Sequence, residues 1–406
     1  MDQTGHLLII SQVYIPDPAA VGQYLAEVAT EIAKRGRQVT VLTADRGYDN
    51  PDLKYPRCEE CDGVNIRRLP LSSFGKSSIT LRLLAGFSFI IQAFFYGLFS
   101  RRVDRILVST SPPVGSLVAL VLAKLKRVPL IYWVMDINPD QVVELGKLAR
   151  SSMFVRTFDW LNRQVLKNAS RIITLDQDMA ERLKHKADLS SMRVIPPWPL
   201  IKDLKPTEAA NNPFRIRYKL GHKLVVMYSG NHSMANPLYT LIEVAKQLKD
   251  VKELVFMFVG GGVQKNSIEA VVDKDKLENV ISLPYQPLAD LKNSLSAADI
   301  HVVSMGDNLK GVLHPSKIYG ALAVGKPVLA LSSEDSFITR MIKQYEIGWQ
   351  VTHGDVSGLK RILEGIIEMP EKELEEMGKR ARQLGLSIYN KDRLLTETCD
   401  VISNVE

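Results

Sequence analysis

His314-Pro315-Ser316-Lys317 sets a proline, a hydroxyl and a lysine in line ahead of the short apolar run that ends at Gly325-Lys326-Pro327. Pro315-Ser316 reads as a helix start, with Ser316 placed to cap the first free amides and Gly325 as the stop. Amides at a helix start, reinforced by a lysine, attract anions; an ordinary capped crossover helix satisfies the same letters. Two further stretches share the character: Ser229-Gly230-Asn231-His232-Ser233 and Gly260-Gly261-Gly262-Val263-Gln264-Lys265. Glycines bring backbone amides close to an anion while Lys265 and Lys317 bring charge, a combination suited to a diphosphate. His232 is either a general acid–base group or a plain loop residue.

These stretches need a scaffold that presents them together. Leu224 to Ser229, Leu254 to Val259, Val280 to Leu283, Ile300 to Val303, Pro327 to Leu331 and Trp349 to Thr352 are short apolar runs separated by helical patterns such as Pro237 to Lys249, Leu288 to Ala298 and Phe337 to Tyr345. Such alternation predicts a doubly wound parallel sheet of the α/β class, with the polar stretches leaving its carboxyl edge. The first half repeats the plan. Leu7 to Tyr14, Gln38 to Thr43, Arg105 to Thr110, Leu130 to Met135 and Arg171 to Leu175 read as strands, and Gly22 opens the first helix where a Rossmann-like turn approaches a phosphate. No GxGxxG is present, so the dinucleotide fingerprint is absent. Asp136, just past a central strand, faces the crevice where such sheets bind ligands, or serves as a turn former.

Pro196-Pro197-Trp198-Pro199 is a stiff connector. The expected organisation is two Rossmann-like domains, 1–199 and 200–385, facing across a cleft, with a partly helical tail, 386–406, folding back on the first.

The 406 residues, 46% hydrophobic and 24% charged, suit a globular protein of two domains. A net charge of +7 fits an anionic ligand or membrane surface, and no basic block argues for nucleic acid. Cys58 and Cys61 have the spacing of half a zinc site with no matching second pair; no metal site and no cofactor is expected, and the thiols fit a reducing compartment. Met1-Asp2-Gln3-Thr4 runs into a strand, so no signal peptide is expected.

Leu83 to Ser100 carries no charge and reaches the lower limit for a membrane span. Arg105 to Thr110 follows at once as a strand of the same sheet, which rules a span out. A buried helix remains, or one lying in the membrane interface with Lys76, Arg82, Arg101 and Arg102 meeting anionic headgroups; the abundance of aromatics around it favours the interface.

Taken in order, Ser229-Gly230-Asn231-His232, Phe258-Val259-Gly260-Gly261-Gly262, Asn279-Val280, Leu283-Pro284-Tyr285, Ala297-Ala298-Asp299, Pro315-Ser316-Lys317-Ile318-Tyr319-Gly320 and Gly325-Lys326-Pro327 resemble a family 4 retaining glycosyltransferase of the GT-B fold. The resemblance is to the branch that builds bacterial surface polysaccharides, the colanic-acid and O-antigen type. The Gly22 loop, Ser111-Pro112-Pro113 and Trp133 to Pro139 extend it over nearly the whole chain. It implies a nucleotide-sugar donor, with uridine the expected nucleotide, held mostly by the second domain, a lipid-linked or otherwise membrane-held acceptor held by the first, and retention at the anomeric carbon. The basic balance and the Leu83 to Ser100 segment fit a peripheral place on the inner face of the cell membrane. It also assigns roles. Lys317 and Ser316, with Gly22 opposite, would hold the diphosphate, as would Gly230, Asn231, His232, Gly261, Gly262 and Lys265, while His314, Pro315 and Tyr319 complete the motif. Val280 and Tyr285 would flank the base, and Asp136 would face the acceptor or the transferred sugar. Many members carry two glutamates eight positions apart; here Val312 and Gly320 stand there instead. An epimerase of the same fold, which isomerises donor without acceptor, and a non-catalytic nucleotide-binding subunit are the rival readings.

Overall fold

The computed structural model describes residues 5–17, 19–47, 52–72, 79–187, 190–200 and 205–405. The chain forms two units, one made of Met1–Pro196, Gly311–His314 and Asp392–Glu406, the other of Pro197–Lys310 and Pro315–Lys391.

In the first unit the strands are β1 (His6–Ile10), β2 (Gln38–Ala44), β3 (Cys58–Cys61), β4 (Val64–Leu69), β5 (Val103–Ser109), β6 (Leu130–Val134), β7 (Arg171–Thr174) and β8 (Met192–Val194). They lie in the order β3-β4-β2-β1-β5-β6-β7-β8, and only the β3–β4 pairing is antiparallel. Leu7 to Ile10 are wholly buried, as expected of a central parallel strand covered on both faces. Asp62 (φ 51) and Gly63 (φ 77) both take the left-handed conformation, the two-residue turn that matches the twist of a hairpin. The helices are α1 (Ala20–Lys34), α2 (Ile79–Phe99), α3 (Gly115–Lys126), α4 (Asp140–Glu144), α5 (Met153–Asn168) and α6 (Gln177–Lys184). Leu25, Val28, Ala29 and Ile32 form the buried stripe of α1.

The second unit holds α7 (Pro213–Arg217), β9 (Leu224–Ser229), α8 (Tyr239–Gln247), β10 (Leu254–Val259), α9 (Lys265–Asp275), β11 (Val280–Leu283), α10 (Leu291–Ser296), β12 (Ile300–Ser304), α11 (Ile318–Val324), β13 (Val328–Leu331), α12 (Phe337–Tyr345), β14 (Gly348–Val351), α13 (Val356–Ile367) and α14 (Glu371–Leu386). Its sheet is wholly parallel, in the order β11-β10-β9-β12-β13-β14. This is the doubly wound order: strands are added outward in opposite senses from β9 and β12, and such a switch point is where α/β sheets open a crevice outside the strand ends.

The last helix, α15 (Lys391–Ser403), buries Leu394, Cys399 and Ile402. Arg105 donates to the Ile402 carbonyl at 2.9 Å, so the tail is tied to β5 within the first unit.

Among the described residues no helix is long and apolar enough to cross a membrane. On α2, Ala85, Phe89 and Ala93 make a narrow buried line at helical spacing. Leu84, Phe87, Ile91, Phe95 and Phe99 form a second apolar line that stays exposed. The helix is therefore both core and surface. Lys76 and the side chain of Arg82 lie outside the described residues.

Candidate functional site

The second unit's loops assemble at the β9/β12 switch point through their backbones. The Gly230 amide donates to the Val259 carbonyl (2.9 Å), the His232 amide to Gly261 (2.7 Å) and the Gln264 amide to His232 (3.0 Å). Gly230, Gly260 and Gly262 take φ of +137°, +134° and +134°, a region closed to residues with a side chain. A Cβ on Gly262 would stand 2.5 Å from Asn231 Oδ1, and one on Gly230 would stand 2.5 Å from Lys317 Cε. Glycine is thus required because two loops and a lysine stem occupy the room.

Lys317 is half-buried. Its ammonium sits 5.5 Å from the centroid of the Tyr228 ring, and no carboxylate pairs with it among the described residues. Desolvation pushes its pKa down to about 8. A lysine held this way, beside glycine backbone and without a counter-ion, is suited to an anionic ligand.

His232 is fully buried, its ring 5.3 Å from that of Tyr228, and neither ring nitrogen has a hydrogen-bond partner among the described residues. Burial, with Lys265 and Lys317 nearby, pushes its pKa down to about 4. The imidazole is neutral near pH 7, and a lowered pKa makes it a weaker base there than an ordinary histidine.

Several other expected site residues serve the scaffold. Lys265 donates to the Gly260 carbonyl (2.9 Å) and the Leu283 carbonyl (2.7 Å), which fastens the glycine loop and occupies the charge expected to meet the ligand. Tyr319 is buried against Tyr389, with ring centroids 5.3 Å apart, and Val280 belongs to the sheet core. Ser316 makes no cap: Lys317 is the residue before α11, with no side-chain capping bond, because the chain enters through a tight turn in which Tyr319 donates to the Ser316 carbonyl. Gly325 does end the helix, at φ +64°. Pro315 is buried, while Asn231 and Gly262 are exposed. Tyr285, half-exposed, lays its ring against Gly261 and donates to the Gly261 carbonyl at 3.3 Å.

In the first unit, the fold itself already demands a glycine at Gly22. A Cβ there would meet the Tyr14 backbone at 2.9 Å, so the close approach is to the protein's own chain. Asp136 follows β6, and burial pushes its carboxyl pKa up to about 6. It forms an antiparallel bridge with Leu313, and the Ile137 amide donates to Val312 at 2.9 Å. His314 Nδ1 meets Asp176 Oδ2 at 2.7 Å, both side chains being almost wholly buried. Asp176 Oδ1 accepts the Met179 amide and caps α6. His314, expected on the donor, is therefore committed to Asp176. Val312 is fully buried, whereas a Cβ on Gly320 would make only ordinary contact with Leu295 at 3.5 Å.

The His314→Ala variant should lose about 1–3 kcal/mol in chemical denaturation, because it leaves the buried Asp176 oxygen without its donor. Asp176→Asn, which keeps an acceptor for Met179 and a group facing His314, should lose less.

Two contributors escaped the sequence reading. Asp176 carries a legible signal, an aspartate immediately before a helix, whereas Tyr228 reads only as a strand residue.

Comparisons with known families agree with this geometry. Residues 19–198 match the glycosyl transferase 4-like domain and residues 214–384 match glycosyl transferases group 1. The chain is 24% identical to the probable glycosyltransferase WbjE of Pseudomonas aeruginosa over 394 residues, 95% of each chain. It is 27% identical over 338 residues to the putative colanic acid biosynthesis glycosyl transferase WcaI of Escherichia coli K12, covering 79% of this chain and 81% of that one. Among solved structures, Anabaena HepE in complex with UDP and glucose shares the fold at a TM-score of 0.73 and 16% identity, covering 98% of this chain and 99% of the other.

Proposed function

Because the chain belongs to the GT-B glycosyltransferases that join a 4-like domain to a group 1 domain, we propose that it transfers a sugar from a nucleoside-diphosphate donor to a lipid-linked acceptor in surface-polysaccharide assembly. The observation that carries this reading is the uncompensated Lys317 ammonium, whose stem packs on Gly230 and which lies over the Tyr228 ring. The names of WbjE and WcaI, and the UDP held by HepE, support the donor class and the pathway.

In this proposal Gly230, Asn231, Gly261, Gly262, Ser316 and Lys317 bind the diphosphate, Gly22 assists, Tyr285 covers the base and neutral His232 orients the donor by hydrogen bonding. Retention is expected, with the leaving diphosphate taking the acceptor proton. Lys317 lowers the cost of the charge that develops on that diphosphate as the glycosidic bond breaks. Asp136 is assigned to the acceptor or the transferred sugar. Its pKa of about 6 leaves it mostly ionised near pH 7 and able to accept a hydroxyl hydrogen bond. The enzyme is proposed to work at the inner face of the cell membrane, with α2 against the lipid.

A panel of labelled nucleotide sugars, each with and without lipid-linked acceptors, tests the proposal. Transfer with release of nucleoside diphosphate is the expected result. Isomerised donor in the acceptor-free arm identifies an epimerase, and binding without turnover in every arm identifies a non-catalytic subunit.

A further inference from the structure

A cavity of about 310 Å³ opens at the amino ends of β1 and β2, between that face of the first sheet and the C-terminal end of α2. Arg67, Arg101 and Arg102 line it, together with His6, Asn65 and Tyr96, and no carboxylate does. None of the three guanidinium groups has an ion-pair partner among the described residues. The site is built. Arg67 stands on β4 directly opposite Cys58 of β3, within electrostatic reach of Tyr96. The His6 ring bonds Thr40 Oγ1 at 2.8 Å and the Arg101 carbonyl at 3.1 Å, which fixes the Arg101-Arg102 turn. The end of α2 would by itself present negative carbonyls here. Lys126 covers them, donating to Leu98 at 3.0 Å and Ser100 at 2.7 Å, so the field in the cavity stays positive.

Three guanidinium groups with a phenol match a phosphodiester, which accepts several charge-assisted hydrogen bonds at once. The surroundings select its source. Phe95 and Phe99, 52% and 76% exposed, stand on the same helical end as Tyr96, and Ile91, Phe87 and Leu84 continue the apolar line. On the adjoining α3, Leu125 is exposed between Lys124 and Arg127. A soluble phosphate has no use for that apolar surface.

We propose that this cavity binds the phosphate of an anionic lipid headgroup while the exposed face of α2 enters the acyl boundary. The inference rests on the membrane contact in the reading above and gives it a site. It is tested by binding alone, so a failed transfer assay and a failed vesicle assay remain distinguishable.

Full-length protein is sedimented with phosphatidylcholine vesicles with and without phosphatidylglycerol. Binding is expected only with phosphatidylglycerol, and it should weaken as salt is raised. The double variant Arg101→Glu/Arg102→Glu should lose affinity on the order of 10- to 100-fold. Phe95→Ser/Phe99→Ser should also release the vesicles, and unchanged melting temperatures show that both variants fold. Arg67→Gln, a milder change, provides a second measure of the cavity if charge reversal unfolds the unit. Undiminished vesicle binding by all three variants overturns the proposal. So does saturable stabilisation by inorganic phosphate, lost in the arginine variants, in protein that ignores vesicles.

Discussion

Lys317→Ala is expected to weaken UDP binding by one to two orders of magnitude, about 1.5–3 kcal/mol for a charge-assisted contact, as measured by calorimetry. The physical reason lies in the free protein. The ammonium is half-buried with no carboxylate to balance it, and desolvation holds its pKa at about 8. The unbound enzyme therefore carries a destabilising charge that a diphosphate relieves. The sign follows from the direction of the shift. A lysine with a lowered folded-state pKa opposes folding while it is charged, and the penalty fades as pH rises from about 8 toward the ordinary value of 10.5. Alanine removes the penalty, so below pH 8 the variant should melt no lower than the parent even as it loses ligand. Parent UDP affinity should fall as pH climbs past about 8, with proton uptake on binding seen as buffer-dependent heats. A variant that lost stability and affinity together would mean that Lys317 is structural.

Gly260→Ala should have the largest effect on stability. Its φ of +134° is closed to alanine, and the new methyl would be driven into the Gly230 carbonyl, inside contact distance. Neither loop can yield alone, because the Gly230 amide is tied to Val259 and the Gly260 amide to Leu283. A cost of about 3 kcal/mol or more is expected, which lowers the melting transition by roughly 6–12 °C for a domain of this size. Donor binding should disappear with it, since the same separation pulls Gly230 away from the Lys317 stem. Gly365→Ala, at a helical site with open space around it, is the control and should be neutral or stabilising.

The second sheet was readable because its strands are unbroken apolar runs. Leu224–Ser229, Leu254–Val259 and Val280–Leu283 begin and end where the pattern says. The helix expected over Leu288 to Ala298 became a 3-10 turn, Leu288–Asp290, followed by α10, and α7 was missed altogether. A local start signal does precede α7: Asn212, ahead of Pro213, accepts from the Phe214 and Arg215 amides. The helix is only five residues long, however, and is held by buried Arg215, which donates to the Ala297 carbonyl at 2.8 Å and to Asp299. The Arg215 bonds, unlike the cap, have no local pattern. The edge strand β3 is equally hidden, since Cys-Glu-Glu-Cys has no strand periodicity and pairs only because the Asp62-Gly63 turn returns the chain.

At the site, the glycine loops were legible and the cations were not. Lys265 and Lys317 look alike in sequence. One is consumed by the carbonyls of Gly260 and Leu283 and the other is left with an aromatic ring, a difference made by strand ends far apart in the chain. His314 is similar, since its partner Asp176 lies 138 positions away.

The four residues Gly311–His314 have a consequence for engineering. They belong to the first unit although they are encoded deep within the second, as the Asp392–Glu406 tail is encoded beyond it. A chimaera joined at Pro196-Pro197, the natural place to exchange second units between relatives, would bring a foreign strand partner for Asp136 and a foreign acceptor for Arg105. Specificity swaps should therefore transplant the second unit while keeping Gly311–His314 and Asp392–Glu406 from the parent that supplies residues 1–196. A junction map drawn along the gene alone would break the first unit in two places at once.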